Sequence, residues 1–201
     1  MLRVGLTGGL GSGKSTASRM LRARGAYVLN ADEMGRQLMQ PGEAVFDAIV
    51  ARFGAGVLQG DGRLDRTALA RAAFEDGRVD ELNAIVHPAT IARQAELSAI
   101  IGEDDPNAVV VVESALIFET KYGDLGRFDK LVLVTAPEEL KIARFVARTG
   151  LTEAEARQRL ARMIPDEEKL GRVDFVLRND GTVEELEVQV EAMWAELKPA
   201  V

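Results

Sequence analysis

The chain has 201 residues, 47% of them hydrophobic and 28% charged, enough apolar content for one or two folded domains and too much for a disordered chain. It has no cysteine, which removes disulfides, thiolate nucleophiles and thiolate zinc sites, and one histidine, His87, which excludes a histidine metal cluster. A net charge of -7 argues against a general nucleic-acid binder, and no apolar stretch approaches the ~18 residues of a membrane span.

In chain order, the apolar run Leu2 to Leu6 reads as a first strand, and helical spacing runs from Ser15 to Arg24. A second strand is expected at Tyr27 to Asn30. The mostly helical region from about Asp32 to Ile101 is much longer than the ~10 to 15 residues of one crossover helix, so it reads as an inserted helical lobe. Within it, GDG at Gly60 to Gly62 marks a turn between helical blocks. Val109 to Val112 and Leu131 to Thr135 follow as strands, then helices at Glu138 to Arg148 and Glu153 to Met163, a strand at Phe175 to Arg178 and a helix at Val183 to Leu197. Thr152 with Glu155, and Thr182 with Glu185, have the spacing of capping boxes. Short strands rich in Val, Leu and Ile are those of a sheet buried on both faces, so the chain reads as an α/β fold with five parallel strands and helices on either side.

Between the first strand and the first helix lies GGLGSGKS, in which Gly8, Gly13, Lys14 and Ser15 satisfy GxxxxGK[ST]. A loop of this kind turns its amides toward phosphate oxygens, while the lysine reaches the β- and γ-phosphates and the serine hydroxyl serves Mg²⁺. A plain glycine turn before an ordinary helix is the bland alternative. A dinucleotide-binding turn fails, because Gly9 and Gly11 would need a third glycine where Lys14 stands. Residues 1 to 30 carry five cations and no acid, so this segment is +5 against -12 for the remainder, which suits an anionic ligand.

The chain has no NKxD for guanine. Asp32, just after the second strand, has the place of a residue that orients an acceptor hydroxyl, or else caps a helix beginning at Glu33. Lys141, Arg144 and Arg148 recur at i, i+3 and i+7, a stripe that either meets an anion or faces water, and Arg157, Arg159 and Arg162 continue it against Glu153 and Glu155. His87 precedes Pro88, a residue suited to a first helical turn, and reads as a structural or substrate contact. Phe74, Leu82, Ile85 and Phe118 fit either ordinary core or an apolar wall.

These motifs together resemble the dephospho-coenzyme A kinase family over nearly the whole chain: GLTGGLGSGKST, NADEMGRQLMQPG, LNAIVHP, ESALIFE, ELKIARFVAR and FVLRNDG occur in that order. The resemblance implies a P-loop kinase-like fold with a nucleotide-binding core at 1–34 and 105–201, a helical substrate lobe at about 35–104 and a lid at about 137–165. It implies transfer of the ATP γ-phosphoryl group to the ribose 3′-hydroxyl of dephospho-CoA, the last step of CoA biosynthesis, with Mg²⁺ as cofactor. Gly8, Gly9, Gly11, Ser12, Gly13, Lys14, Ser15 and Thr16 would cradle ATP, with Ser15 toward the metal and Arg144, Arg148 and Asn179 also on the nucleotide. Lys14, Asp32 and Arg144 would be catalytic, Asp32 as the base and Arg144 as the lid arginine. Asp32, His87, Glu113, Leu116 and Phe118 would meet the substrate. Three positions depart from the family pattern: Asn30 replaces the first aspartate of DAD, Ala115 stands where proline is usual, and Met163 where glutamine is usual. A cytoplasmic monomer or weak homo-oligomer, without membrane or nucleic-acid partners, is expected, since the N-terminus lacks the features of a signal peptide.

Overall fold

β3 (Val109–Glu113) is buried along its whole length, as a strand covered on both faces must be. In the computed structural model, which describes residues 1–197, it lies in a sheet with β1 (Leu2–Thr7), β2 (Tyr27–Asn30), β4 (Lys130–Thr135) and β5 (Phe175–Arg178). The strand order is β2-β3-β1-β4-β5, and every pairing is parallel. One face shares a core with α1 (Lys14–Ala23) and α9 (Val183–Leu197), where Val4, Leu6, Val111 and Val134 cluster with Leu21, Leu186, Val190 and Trp194. Burying side chains of this size stabilises the fold by about 1.5–3 kcal/mol each. β1 leads to β2 on one side and β3 leads to β4 on the other, so the loop after β1 emerges where the strand order reverses, the usual ligand position in open α/β sheets.

The chain divides into two compact units, Met1–Asn30 with the chain from Ser98 onward, and Ala31–Leu97. The second unit contains α2 (Ala31–Leu38), α3 (Ala44–Phe53), a 3₁₀ turn (Ala55–Val57), α4 (Arg66–Phe74) and the first part of α5 (Val79–Asp104). Its core is built on Val45, Ile49, Val57 and Leu69. The Asp65 carboxylate starts α4 by accepting the amides of Thr67 at 2.9 Å and Ala68 at 3.0 Å. The GDG segment is the expected turn between helical blocks, lying between α3 and α4, where it closes a short hairpin with Leu58 and Leu64 bridged antiparallel.

The remaining helices are α6 (Glu138–Thr149), α7 (Glu153–Leu160) and α8 (Asp166–Leu170). Both capping boxes form. The Thr152 amide donates to Glu155 at 2.8 Å and the Glu155 amide to Thr152 Oγ1 at 3.3 Å; the corresponding bonds of Thr182 and Glu185 are 2.8 and 3.2 Å. Three local expectations are corrected. α2 begins at Ala31, so Asp32 lies inside its first turn and does not cap a helix starting at Glu33. Pro88 stands in the interior of α5, where it forgoes one backbone bond, and not in a first turn. α7 stops at Leu160, short of Met163, because the chain tightens into i→i−3 turns in which the amides of Arg162 and Met163 bond the carbonyls of Arg159 and Leu160, and the five-residue α8 follows Pro165. No helix among the described residues is long and apolar enough to cross a membrane.

Candidate active site

The loop after β1 meets α1 at Gly13, whose φ of +97° is left-handed and which offers no side-chain cap. The first turn of α1 carries no acidic residue. The free amides and positive dipole end of α1 are therefore left without a neutralising carboxylate in that turn, the arrangement that suits a phosphate.

Three of the loop glycines have a reason beyond room for phosphate: a Cβ on Gly8, at φ +151°, would stand 2.2 Å from the Val134 carbonyl oxygen near the end of β4. A Cβ on Gly11, at φ +72°, would stand 2.0 Å from the Lys141 carbonyl oxygen, and one on Gly13 would stand 1.9 Å from the Asn179 side-chain nitrogen. The protein itself, through β4, α6 and the turn after β5, closes on the loop at these points. At Gly9 a Cβ would make only ordinary contacts, 3.4 Å from Leu160 and 3.6 Å from Lys141 Nζ.

Lys14 Nζ donates to the carbonyls of Gly8 at 2.7 Å and Gly9 at 3.0 Å, which holds it back along the loop. Ser12 is buried, and its carbonyl accepts Asn179 Nδ2 at 2.8 Å. The Asn179 carbonyl in turn accepts Arg144 Nη1 at 2.8 Å, so Arg144 is tied to the loop through one residue. Ser15 is exposed at the start of α1, and the Thr16 hydroxyl accepts Arg19 at 3.5 Å. Arg148 is exposed, with its guanidinium 5.6 Å from the Phe145 ring centre.

Glu113 ends β3 opposite Leu6 of β1 and Asn30 of β2. Its buried carboxylate accepts Ser18 Oγ of α1 at 2.8 Å and Asn30 Nδ2 at 3.1 Å, bracing the helix that follows the loop. Asn30 here supplies a donor, where an aspartate would set two carboxylates against one another. Leu116 is exposed just after β3, and Phe118 lies under the Arg172 guanidinium at 4.7 Å. In the other unit, Asp32 is exposed in the first turn of α2. His87 is half-buried on α5, and burial pushes its imidazole below the usual histidine range.

Lys141, Arg144 and Arg148 do not share one environment, despite their spacing. Lys141 is buried and donates to Asp166 of α8, whose carboxylate also accepts the Thr135 hydroxyl at the end of β4. A second buried pair joins Lys169, which is 0% exposed, to Glu119 at 2.7 Å. Sequence reasoning missed Asp166, Glu119 and Lys169. The acid-rich DEEK after Pro165 was the available signal, but it reads equally as a solvated turn.

Among the described residues no group of three His, Cys, Asp or Glu side chains is placed to hold a metal. The oxygen donors at the loop are the exposed Ser15 hydroxyl, the Thr16 hydroxyl, the buried Thr7 and Ser12 hydroxyls, which have no hydrogen-bond partner among the described residues, and the already engaged Glu113 carboxylate. Such a set fits a Mg²⁺ ion that arrives on a nucleotide and takes most of its ligands from phosphates and water, and does not fit a protein-built cage.

A family model described as dephospho-CoA kinase matches residues 2–185 of this chain. The dephospho-CoA kinase of Geobacter sulfurreducens is 43% identical over 197 residues, covering 98% of each chain. That of Corynebacterium jeikeium is 41% identical over 198 residues, covering 98% of this chain and all of its own. Among solved structures, a Thermus thermophilus protein superposes with a TM-score of 0.79 at 35% identity over 98% of both chains. The dephospho-CoA kinase of Campylobacter jejuni gives 0.72 at 24% identity, covering 98% of this chain and 96% of its own, a likeness of fold.

Proposed function

The chain belongs to the dephospho-CoA kinase family, an ATP-dependent kinase of CoA biosynthesis, and from that premise we propose that the groups described above transfer the ATP γ-phosphoryl group to the ribose 3′-hydroxyl of dephospho-CoA. The observation that carries this reading is the phosphate loop itself, an acid-free helix start preceded by Gly13 and Lys14 and braced by Asn179 and Glu113.

Lys14 exchanges the carbonyls of Gly8 and Gly9 for the β- and γ-phosphates, and the amides from Gly11 to Thr16 surround the phosphate oxygens. The transition state of phosphoryl transfer is loose and highly charged, so most of the acceleration comes from placement and fixed positive charge. Arg144, held by the Asn179 carbonyl, is one turn of α6 from Arg148, and the two serve the transferring phosphate from the lid at about 137–165. Ser15 would hold an Mg²⁺ ion brought in with ATP, and the ion would supply positive charge against the charge that develops on the phosphates. Asp32 accepts the hydrogen of the 3′-hydroxyl and aligns its oxygen for in-line attack. The substrate lobe, about 35–104, receives the rest of the acceptor, with His87 as a contact in that lobe and Glu113, Leu116 and Phe118 at the end of β3. The protein acts as a cytoplasmic monomer or weak homo-oligomer.

Incubation with ATP, Mg²⁺ and a panel of dephospho-CoA, shikimate, gluconate and nucleoside monophosphates tests the reading. Mass spectrometry is expected to show phosphate gain on dephospho-CoA, with loss of that gain when ATP or Mg²⁺ is left out. Gain on another panel member and none on dephospho-CoA would refute it.

A further inference from the structure

A cavity of about 570 Å³ lies within the helical unit, on α2, the hairpin before α4, and α4 itself. Its lining combines the cations Arg36, Arg63 and Arg66 with the apolar side chains Met39, Leu64 and Phe74. Asp65 is the one acid among the lining residues, and its Oδ1 is already engaged by the amides of Thr67 and Ala68. In a chain of net charge -7, three cations against one engaged carboxylate invert the general charge balance.

The arginines are held to different degrees. Arg36 pairs with Glu33 at 2.9 Å, Arg63 lies 3.9 Å from Asp61, and Arg66 makes no ion pair or hydrogen bond among the described residues. Phe74, the last residue of α4, is 59% exposed. A second cavity in the same unit, also about 570 Å³, is a useful contrast. It is lined by Glu43 and Glu96, and its single arginine, Arg93, is paired to Glu96 at 2.6 Å, which leaves no cation for an anionic ligand.

We propose that Arg63 and Arg66 hold the diphosphate of dephospho-CoA in the first cavity, and that Met39, Leu64 and Phe74 cover the apolar part of its pantetheine arm. The assignment rests on the function proposed above. Guanidinium forks match pairs of phosphate oxygens, and the volume is in the range of pockets that enclose a flexible small-molecule arm. The free guanidinium of Arg66 and the bare ring of Phe74 are thereby both accounted for by one ligand that is anionic at one end and apolar at the other.

The test uses the intact protein with its phosphate loop saturated by ADP for binding, and by ATP with Mg²⁺ for rates. Dephospho-CoA is titrated calorimetrically into the parent, Arg63→Ala/Arg66→Ala, Arg66→Lys and Phe74→Ala. Loss of charged hydrogen bonds is expected to weaken binding to the double variant by about 10- to 100-fold and raise KM for dephospho-CoA alike, while KM for ATP and the saturated rate hold. Arg66→Lys keeps the charge without the fork and falls between. Pantetheine, which has the arm and no phosphate, competes equally well in parent and double variant and less well in Phe74→Ala. Unchanged affinity of the double variant for dephospho-CoA would remove the diphosphate from this cavity, and failure of pantetheine to compete in the parent would remove the arm. A parent that phosphorylates dephospho-CoA with either result keeps its function and loses this site, whereas a parent that neither binds nor phosphorylates dephospho-CoA loses both.

Discussion

Around the phosphate loop the protein holds its own working groups: Lys14 on two loop carbonyls, Asn179 on Ser12, Arg144 on Asn179, and Glu113 on Ser18 and Asn30. In the unit Ala31–Leu97 the corresponding groups stand in solvent, with Asp32, Arg63, Arg66 and Phe74 all exposed. Fixed donors stabilise developing charge without reorganising, which is what the phosphate side of the reaction needs. On the function proposed here, the solvated groups of Ala31–Leu97 form the acceptor side and take their order from its ligand. Variants near the loop are therefore expected to move stability along with activity, and variants in the helical unit to move activity alone.

The largest test of that division is Asp32→Asn, which removes the acceptor charge and keeps the size. In its proposed role as base for the 3′-hydroxyl, Asp32 would be worth about 10² to 10⁴ in turnover. Since it sits inside the first turn of α2, the stability lost is the dipole contribution of one exposed carboxylate, within about 1 kcal/mol. Steady-state rates at saturating dephospho-CoA and thermal unfolding on the same preparation check both halves. A variant keeping more than about a tenth of the parent rate would remove Asp32 from the chemistry.

Asp166→Leu tests the other side. It strands the buried ammonium of Lys141, and loss of one partner from a buried pair typically costs about 3–5 kcal/mol. Adding Lys141→Met removes the stranded charge, so the double variant is expected to recover most of the loss in urea unfolding. A double variant no more stable than Asp166→Leu would mean that the segment depends on packing and not on charge pairing.

Arg144→Ala is expected to lower turnover by about 10², the usual worth of one fixed donor to a charged transition state. It also frees the Asn179 backbone carbonyl but leaves the side-chain bond from Asn179 to Ser12 in place, so ATP affinity measured without acceptor should change far less. Equal loss in both measurements would place Arg144 in ground-state binding.

The legible parts of this chain are those whose determinants lie close together in sequence. Gly13, Lys14 and Ser15 announce the loop within three residues, Thr152 and Glu155 announce a helix start within four, and the valine run at 109–112 announces a buried strand. The partners that hold the loop are remote. Glu113 reaches Ser18 across 95 residues and Asn179 reaches Ser12 across 167, and no spacing rule links them. The stripe of Lys141, Arg144 and Arg148 shows the same limit, since helical spacing says which residues share a face but not that Asp166 waits opposite one of them. α8 escaped notice because five residues are too few to show a period.

The smallest effect belongs to His87, in the unit where stability is expected to be least tied to function. Burial holds its imidazole below the usual range, so the folded state favours the neutral ring while the unfolded chain keeps the ordinary value near 6.5. As pH falls through about 6.5, the unfolded state therefore binds more protons than the folded one, and stability declines until the folded ring is also protonated. The carboxylates whose values are lowered, Glu81, Asp129, Glu155, Asp174 and Glu184, titrate in a more acidic range and contribute their own loss there. His87 is the chain's single histidine, so no other imidazole shares the window. Urea midpoints for parent and His87→Gln between about pH 7 and about pH 5.5 isolate it. The parent is expected to lose stability over that interval and the variant to stay level. The difference is modest because a half-buried ring keeps part of its hydration. Parallel curves would assign the decline to another group and leave His87 free of any titration linked to folding.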